Sequence, residues 1–190
     1  MAAIRIDATP QHLIDVLTLG FSSDPMMRWL FPEPHAYLQH FPVLLNLFAG
    51  EAFKNDTALS TDDGSAAALW LRPGAYPDGD GIMAFFNDVL SKEILEDSNR
   101  LVELEDELHP DESCWHLAMV ASDPTSRGKG LGSALVDHIL IQCDAEGKVA
   151  YLENTNPYNL DFYKRRGFVV VGEIQAGKSP TMFGMRRDPR

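Results

Sequence analysis

Long hydrophobic runs are missing from this sequence. No stretch reaches the roughly 18 apolar residues of a membrane span, and the opening Met1-Ala2-Ala3-Ile4-Arg5-Ile6-Asp7 lacks the apolar core of a secretory signal. A soluble, cytoplasmic protein with no membrane partner is the expectation. Basic residues are scarce too: 16 Lys plus Arg stand against 28 Asp plus Glu, a formal net charge of -12. Such a surface repels phosphate backbones and anionic lipid, which argues against a nucleic-acid partner. Cysteine is down to Cys114 and Cys143, which form no CxxC pair and read as reduced, buried thiols. The histidines (His12, His35, His40, His109, His116, His138) make neither an HExxH motif nor a Cys/His ligand cluster, so no metal is expected.

What is present suits a single domain over residues 1–190. The chain is 45% hydrophobic and 23% charged, enough to bury a sizeable core. Ile4-Arg5-Ile6 reads as a short strand. Thr9-Pro10 supplies an N-cap and a first-turn proline ahead of Leu13, Val16, Leu17 and Phe21 at helical spacing. Residues 22–34, rich in proline, read as a loop or short helical turn, whose Trp29 and Phe31 either pack beneath it or wall a ligand pocket. A helix over 37–53 follows, then strand-like runs 57–61 and 66–71 about the turn Asp62-Asp63-Gly64, a β-hairpin pattern. Residues 82–108 are helix-prone, with Glu103, Glu105, Asp106 and Glu107 as a solvated face. Beyond them, strands at 115–120, 149–153, 168–174 and 182–185 alternate with helices at 131–143 and 160–166. The class is therefore α/β (α+β). A helical crossover can join parallel strands at 115 and 149, while the terminal runs can pair antiparallel.

The chemistry concentrates between the first of those strands and its helix, in Ser122-Asp123-Pro124-Thr125-Ser126-Arg127-Gly128-Lys129-Gly130-Leu131-Gly132. Glycines let backbone amides approach a ligand, and unpaired N–H groups at a helix start make an anion site, here with Arg127 and Lys129 adding charge. Walker A chemistry is excluded, because Asp123 stands where its first glycine belongs and Gly130 where Ser or Thr should hold magnesium. A dinucleotide GxGxxG fingerprint fails as well, with Ser133 in the last glycine position. Downstream, strand alternation places Glu153 on the face of Val149 and Tyr151, opposite Ala150 and Leu152. His116, alone on its strand, reads as a hydrogen-bonded structural residue, with a base as the less favoured role.

The order Arg127, Gly130, Gly132, then a strand, Asn156, Tyr163 and Gly167-Phe168 closely resembles the GNAT superfamily of acyl-CoA-dependent N-acyltransferases. The run from Leu152-Glu153 to Gly167-Phe168, with Ala68-Leu69-Trp70-Leu71-Arg72-Pro73, is most similar to the puromycin N-acetyltransferase branch. Ser122 departs from the valine the family usually carries before its Asp-Pro pair. The likeness is weakest over 80–112.

That resemblance implies a GNAT fold, a mixed central sheet flanked by helices, with strands splayed at an acetyl-CoA site. It implies that backbone groups of Val120, Ala121 and Ser122 pair with the pantetheine arm. Arg127, Gly128, Lys129, Gly130, Leu131, Gly132 and Ser133 would hold the pyrophosphate, and Asn156 and Asn159 would bond the pantetheine. Tyr163 would stand near the thioester sulfur as the acid, and Glu153 would be the base. An amine acceptor arrives mostly protonated, with a model Lys at about 10.4, so some group must take its proton. No Cys or Ser sits beside a base as a nucleophile should, so direct attack in a ternary complex is expected. The expected activity is acetyl transfer from acetyl-CoA to a small-molecule amine, with Trp29, Phe31 and Trp70 lining the acceptor side. A peptide or protein acceptor, or a non-catalytic acyl-CoA sensor, are the alternatives. The assembly is expected to be a monomer or homodimer.

Overall fold

The computed structural model describes residues 3–6, 8–110 and 112–190; Met1, Ala2 and Asp7 of the opening segment lie outside them. Seven strands form one mixed sheet in the order β1-β2-β3-β4-β5-β7-β6. They are β1 (Ile4–Arg5), β2 (Ala58–Thr61), β3 (Ala66–Leu71), β4 (Trp115–Ser122), β5 (Ala150–Asn154), β6 (Val169–Ile174) and β7 (Met182–Arg187). The helices are α1 (Pro10–Gly20), α2 (Pro25–Leu30), α3 (Pro34–Ala49), α4 (Glu51–Lys54), α5 (Gly79–Val89), α6 (Lys92–Leu108), α7 (Leu131–Glu146) and α8 (Leu160–Lys164). Strands β4 and β5 run parallel, joined through α7, and every other pairing is antiparallel.

Local chemistry sets the boundaries. Thr9 caps α1 through the His12 amide with Pro10 in the first turn. The 22–34 segment holds a short helix, α2, because Asp24 caps it with Oδ1 on the amides of Met26 and Met27. The helix-prone stretch 82–108 is two helices, since Ser91 offers its side chain to the Ile94 amide and starts α6 afresh. Helix α7 stops at Gly147, which takes φ 63°, a conformation costly for any residue with a Cβ.

Two apolar layers sandwich the sheet. On one face α7 packs Leu135, Val136, Ile139 and Cys143 against Trp70, Trp115, Leu117, Ala150 and Leu152. On the other, α1, α3, α5 and α6 bury Leu13, Leu17, Phe41, Leu45, Phe86 and Leu101 over Leu69 and Met119. The alternation expected along β5 holds: Ala150 and Leu152 face α7, while Tyr151 clusters with Cys114 and Val149 on the other side. Both cysteines are free and buried.

Candidate active site

Strands β4 and β5 pair only at their starts, Trp115 with Ala150 and His116 with Tyr151. Beyond that point they part. On its other edge β4 stays registered with β3 from His116 to Ser122, with Ala118 left over as a bulge between the pairs Met119–Leu69 and Leu117–Trp70. The edge of β4 from Leu117 to Ser122 that faces β5 therefore carries backbone groups with no strand partner. A cavity of about 950 Å³ occupies the gap, lined by both strands, by α8, by the end of α1 with α2, and by α3, α5 and α6.

At one end lies the glycine loop. Asp123 tightens the turn before it, its Oδ1 accepting the Thr125 amide and hydroxyl at 2.8 and 2.6 Å. Gly128 and Gly130 adopt φ of 78° and 79°, and a Cβ added at either would meet no atom within 4 Å. Their requirement is conformational, and the space beside them is open. From Gly128 to Ser133 no backbone amide has an acceptor among the described residues; the first donor engaged is that of Ala134, to the Gly130 carbonyl. Arg127 lines the cavity and donates to the Gly20 carbonyl at 2.9 Å, while Lys129 donates to Ser126 Oγ at 3.2 Å. Gly20 itself lets α1 touch β4, because a Cβ there would lie 2.4 Å from that of Ala121.

Val120, Ala121, Ser122, Arg127, Gly132, Glu153, Asn156, Asn159 and Tyr163 share the cavity wall. Gly128, Lys129, Gly130 and Leu131 do not; Leu131 packs its side chain in the core, and what this stretch offers is amides. Ser133 faces a separate shallow depression with Asp137, Arg165 and Arg166. Asn156 caps the turn that follows it, its Oδ1 accepting the Tyr158 amide at 3.1 Å.

Tyr163 is 7% exposed, set edge-on against Phe162 and Phe168. Burial, then the charge of Asp24, pushes its phenol well above the usual tyrosine range, so it stays protonated at any working pH. Glu153 accepts a hydrogen bond from His116 Nε2 at 2.7 Å, both side chains being nearly closed to solvent. Burial alone would raise this carboxyl. The charge and hydrogen bond of His116, with His109 further off, outweigh it and hold Glu153 below its ordinary value. His116 thus serves a named partner, and stacks edge-on to Phe48 at 5.9 Å.

Three expected acceptor-side residues lie elsewhere. Trp70 has 0% exposure on the α7 face of β3, turned from the cavity by the alternation of its strand. Phe31 is 2% exposed and packs on His40 and Phe85, and Trp29 packs against the same core. Aromatics that do line the cavity, besides those of α8 and the turn before it, are Phe21, Phe48, Tyr76 and Phe86.

The acidic run on α6 also divides. Glu103 and Glu107 are exposed and pair with Arg100 at 2.7 and 3.6 Å, as a solvated face should. Glu105 instead lines the cavity with Ser98, Leu101 and Val102, and Asp106 lines it beside them. The sequence carried a signal for this: Ile94, Ser98, Leu101, Glu105 and Leu108 fall on one helical stripe.

Among known proteins, the model of the acetyltransferase (GNAT) family matches residues 83–168, a little under half the chain. Similar solved structures extend over the whole of it. A Corynebacterium glutamicum protein described as a histone acetyltransferase HPA2 and related acetyltransferase is 24% identical, covers 100% of this chain and 98% of its own, and superposes with a TM-score of 0.68. The polyamine N-acetyltransferase of Drosophila melanogaster is 16% identical, covers 99% and 100%, and gives 0.69. Arylalkylamine N-acetyltransferase 2 of Aedes aegypti is 13% identical, covers 99% of both chains, and gives 0.67.

Proposed function

We propose that this chain is an acetyltransferase of the GNAT family, a reading supported by the match over 83–168 and by the fold, and that it moves an acetyl group from acetyl-CoA to the amine of a small molecule. The observation that carries the reading is the parting of β4 from β5 after two residue pairs, with the amide-rich loop at one end of the gap and Tyr163 and Glu153 within it. The family uses acetyl-CoA as co-substrate, and the chain's groups fit it. An unpartnered strand edge at Val120, Ala121 and Ser122 suits an amide-bearing pantetheine arm. The open amides from Gly128 to Ser133 suit linked phosphates, with Arg127 and Lys129 adding charge. Asn156 and Asn159, on the same wall, supply further polar contacts to the arm.

Acetyl-CoA supplies an activated carbonyl carbon with a thiolate leaving group; the protein supplies placement and protons. Glu153, kept ionised by His116, takes the proton of the incoming ammonium, directly or through water. Tyr163, neutral and buried, donates its phenolic proton to the departing sulfur. The thiols of Cys114 and Cys143 are raised to about 11 and about 12, burial first, and neither lines the cavity, which supports direct attack without an acyl-enzyme.

Polyamine and arylalkylamine N-acetyltransferases among the similar structures support a small-molecule acceptor. The narrower kinship with puromycin N-acetyltransferases rests on the run 152–168 and on 68–73. The shared sheet supports one domain over residues 1–190. Thiol release from acetyl-CoA across a panel of small amines and short peptides tests the reading. Turnover on small amines is expected; turnover confined to peptides, or none at all with CoA bound, overturns it.

A further inference from the structure

The far half of the cavity carries its charge in one place. Leu44, Phe48, Ile82, Phe86 and Leu101 make an apolar wall, and four carboxylic residues line the whole space: Asp24, Glu105, Asp106 and Glu153. Asp24 is spent on structure, with Oδ1 on two α2 amides and Oδ2 accepting the Thr155 hydroxyl at 2.6 Å. Glu153 is bonded to His116 at 2.7 Å. Asp106 is exposed. Glu105 is half-buried on the inward stripe of α6, and its carboxyl has neither hydrogen bond nor ion pair among the described residues. Arg127 is the one Lys or Arg lining the cavity among the described residues, and it belongs to the glycine-loop end, bonded to Gly20.

We propose that Glu105 is the specificity-determining residue that receives the acceptor's ammonium group, and that the acceptor is a compact primary monoamine with an apolar body. This rests on the acetyltransferase reading above. A carboxylate beside another carboxylate, facing apolar walls, gains most from a cation, and the ammonium arriving there lies next to Glu153, which is to take its proton. Burial first, then the charge of Glu153 and that of Asp106, make Glu105 hold its proton more tightly than an ordinary glutamate. Titratable groups packed on this side of the sheet include His116 on β4, Cys114 just before it, Tyr151 on β5 and His109 at the end of α6, with Tyr163 on the same cavity wall. A single charged locus with apolar surroundings selects against polyamines, whose second ammonium would lie unpaired among Leu44, Phe48 and Phe86.

The test compares wild type with Glu105→Gln, using phenethylamine and putrescine as acceptors at saturating acetyl-CoA. Wild type is expected to favour phenethylamine in kcat/KM by about tenfold or more. Glu105→Gln is expected to raise the phenethylamine KM about tenfold, a loss of about 1.4 kcal/mol, with kcat within threefold and CoA affinity unchanged by calorimetry. The variant should also melt higher than wild type at pH 8. A folded-state pKa raised above the unfolded one means that stability falls as pH rises past the ordinary glutamate range, and glutamine removes that fall. A purely structural carboxylate would give a lower melting temperature instead. An unchanged KM, a preference for putrescine, or a kcat loss at constant KM, which would mark a base, each overturns the proposal. If wild type turns over no amine, the enzyme reading fails by itself. Calorimetry of phenethylamine on the two CoA-loaded proteins then decides the Glu105 role, equal affinities sinking it.

Discussion

The two ends of the cavity are made of different materials. At the glycine-loop end the contacts on offer are backbone amides from one continuous segment, Gly128 to Ser133, and the edge of β4 next to it. At the other end they are side chains from α3, α5 and α6, three separate helices brought together by the fold. A backbone site tolerates any side chain that leaves the φ angles alone, so its shape is set by glycine and is common to many chains. A side-chain site can be re-specified one residue at a time without disturbing the first, which is how one fold serves many acceptors.

The largest separation between binding and chemistry is expected at Tyr163. Tyr163→Phe keeps the ring that packs on Phe162 and Phe168 and removes only the proton donor. A fall in kcat of about 10² to 10⁴ is expected, with CoA affinity kept within twofold, measured by steady-state kinetics and calorimetry. Lost CoA binding would mean that Tyr163 belongs to the cofactor end instead.

Gly130→Ala should act on the other side of the comparison. A methyl group there meets no atom within 4 Å, but φ of 79° costs an L-residue roughly 1–2 kcal/mol, and the loop can relieve that by turning its amides away. CoA affinity is expected to fall about tenfold while the acceptor KM at saturating acetyl-CoA stays put. A parallel rise in acceptor KM would show that the two ends are coupled.

His116→Gln removes the imidazole but keeps an N–H donor for Glu153. His116 lowers the Glu153 carboxyl against burial, so Glu153, the proposed base, remains ionised to lower pH than a buried glutamate alone would. The acidic limb of kcat/KM is therefore expected to move to higher pH in the variant, with activity at pH 9 within threefold. Stability follows the same sign. A depressed folded-state pKa contributes above the unfolded glutamate value and is lost as pH falls through the folded one, so the variant should lose less stability on acidification. An unmoved limb would assign the base elsewhere.

The same division explains what could be read in advance. The hairpin about Asp63-Gly64, the α7 start at Gly130 and the pairing of Glu153 with Tyr151 on one face of β5 follow from local rules of turn, cap and alternation. The residues of the far end obey no local rule, because Phe48, Phe86 and Glu105 meet only once the sheet has gathered their helices. Glu105 was further hidden by the acidic residues around it, although its place on the stripe from Ile94 to Leu108 marks it as inward-facing. Trp29, Phe31 and Trp70 pack in the core for the converse reason: a large aromatic in a turn-flanked segment satisfies a core as readily as a pocket.

The smallest effect is expected at Trp70. It lies wholly buried against the α7 face, and its indole N–H has no acceptor among the described residues. Trp70→Phe removes that unsatisfied donor, worth roughly 1–3 kcal/mol of relief, and leaves a partly filled cavity that costs a similar amount. The melting temperature should stay within about 4 °C, and the acceptor KM should not change at all. A raised acceptor KM in a variant that melts normally would put Trp70 back on the acceptor side and reverse the division of the sheet into a packing face and a binding face.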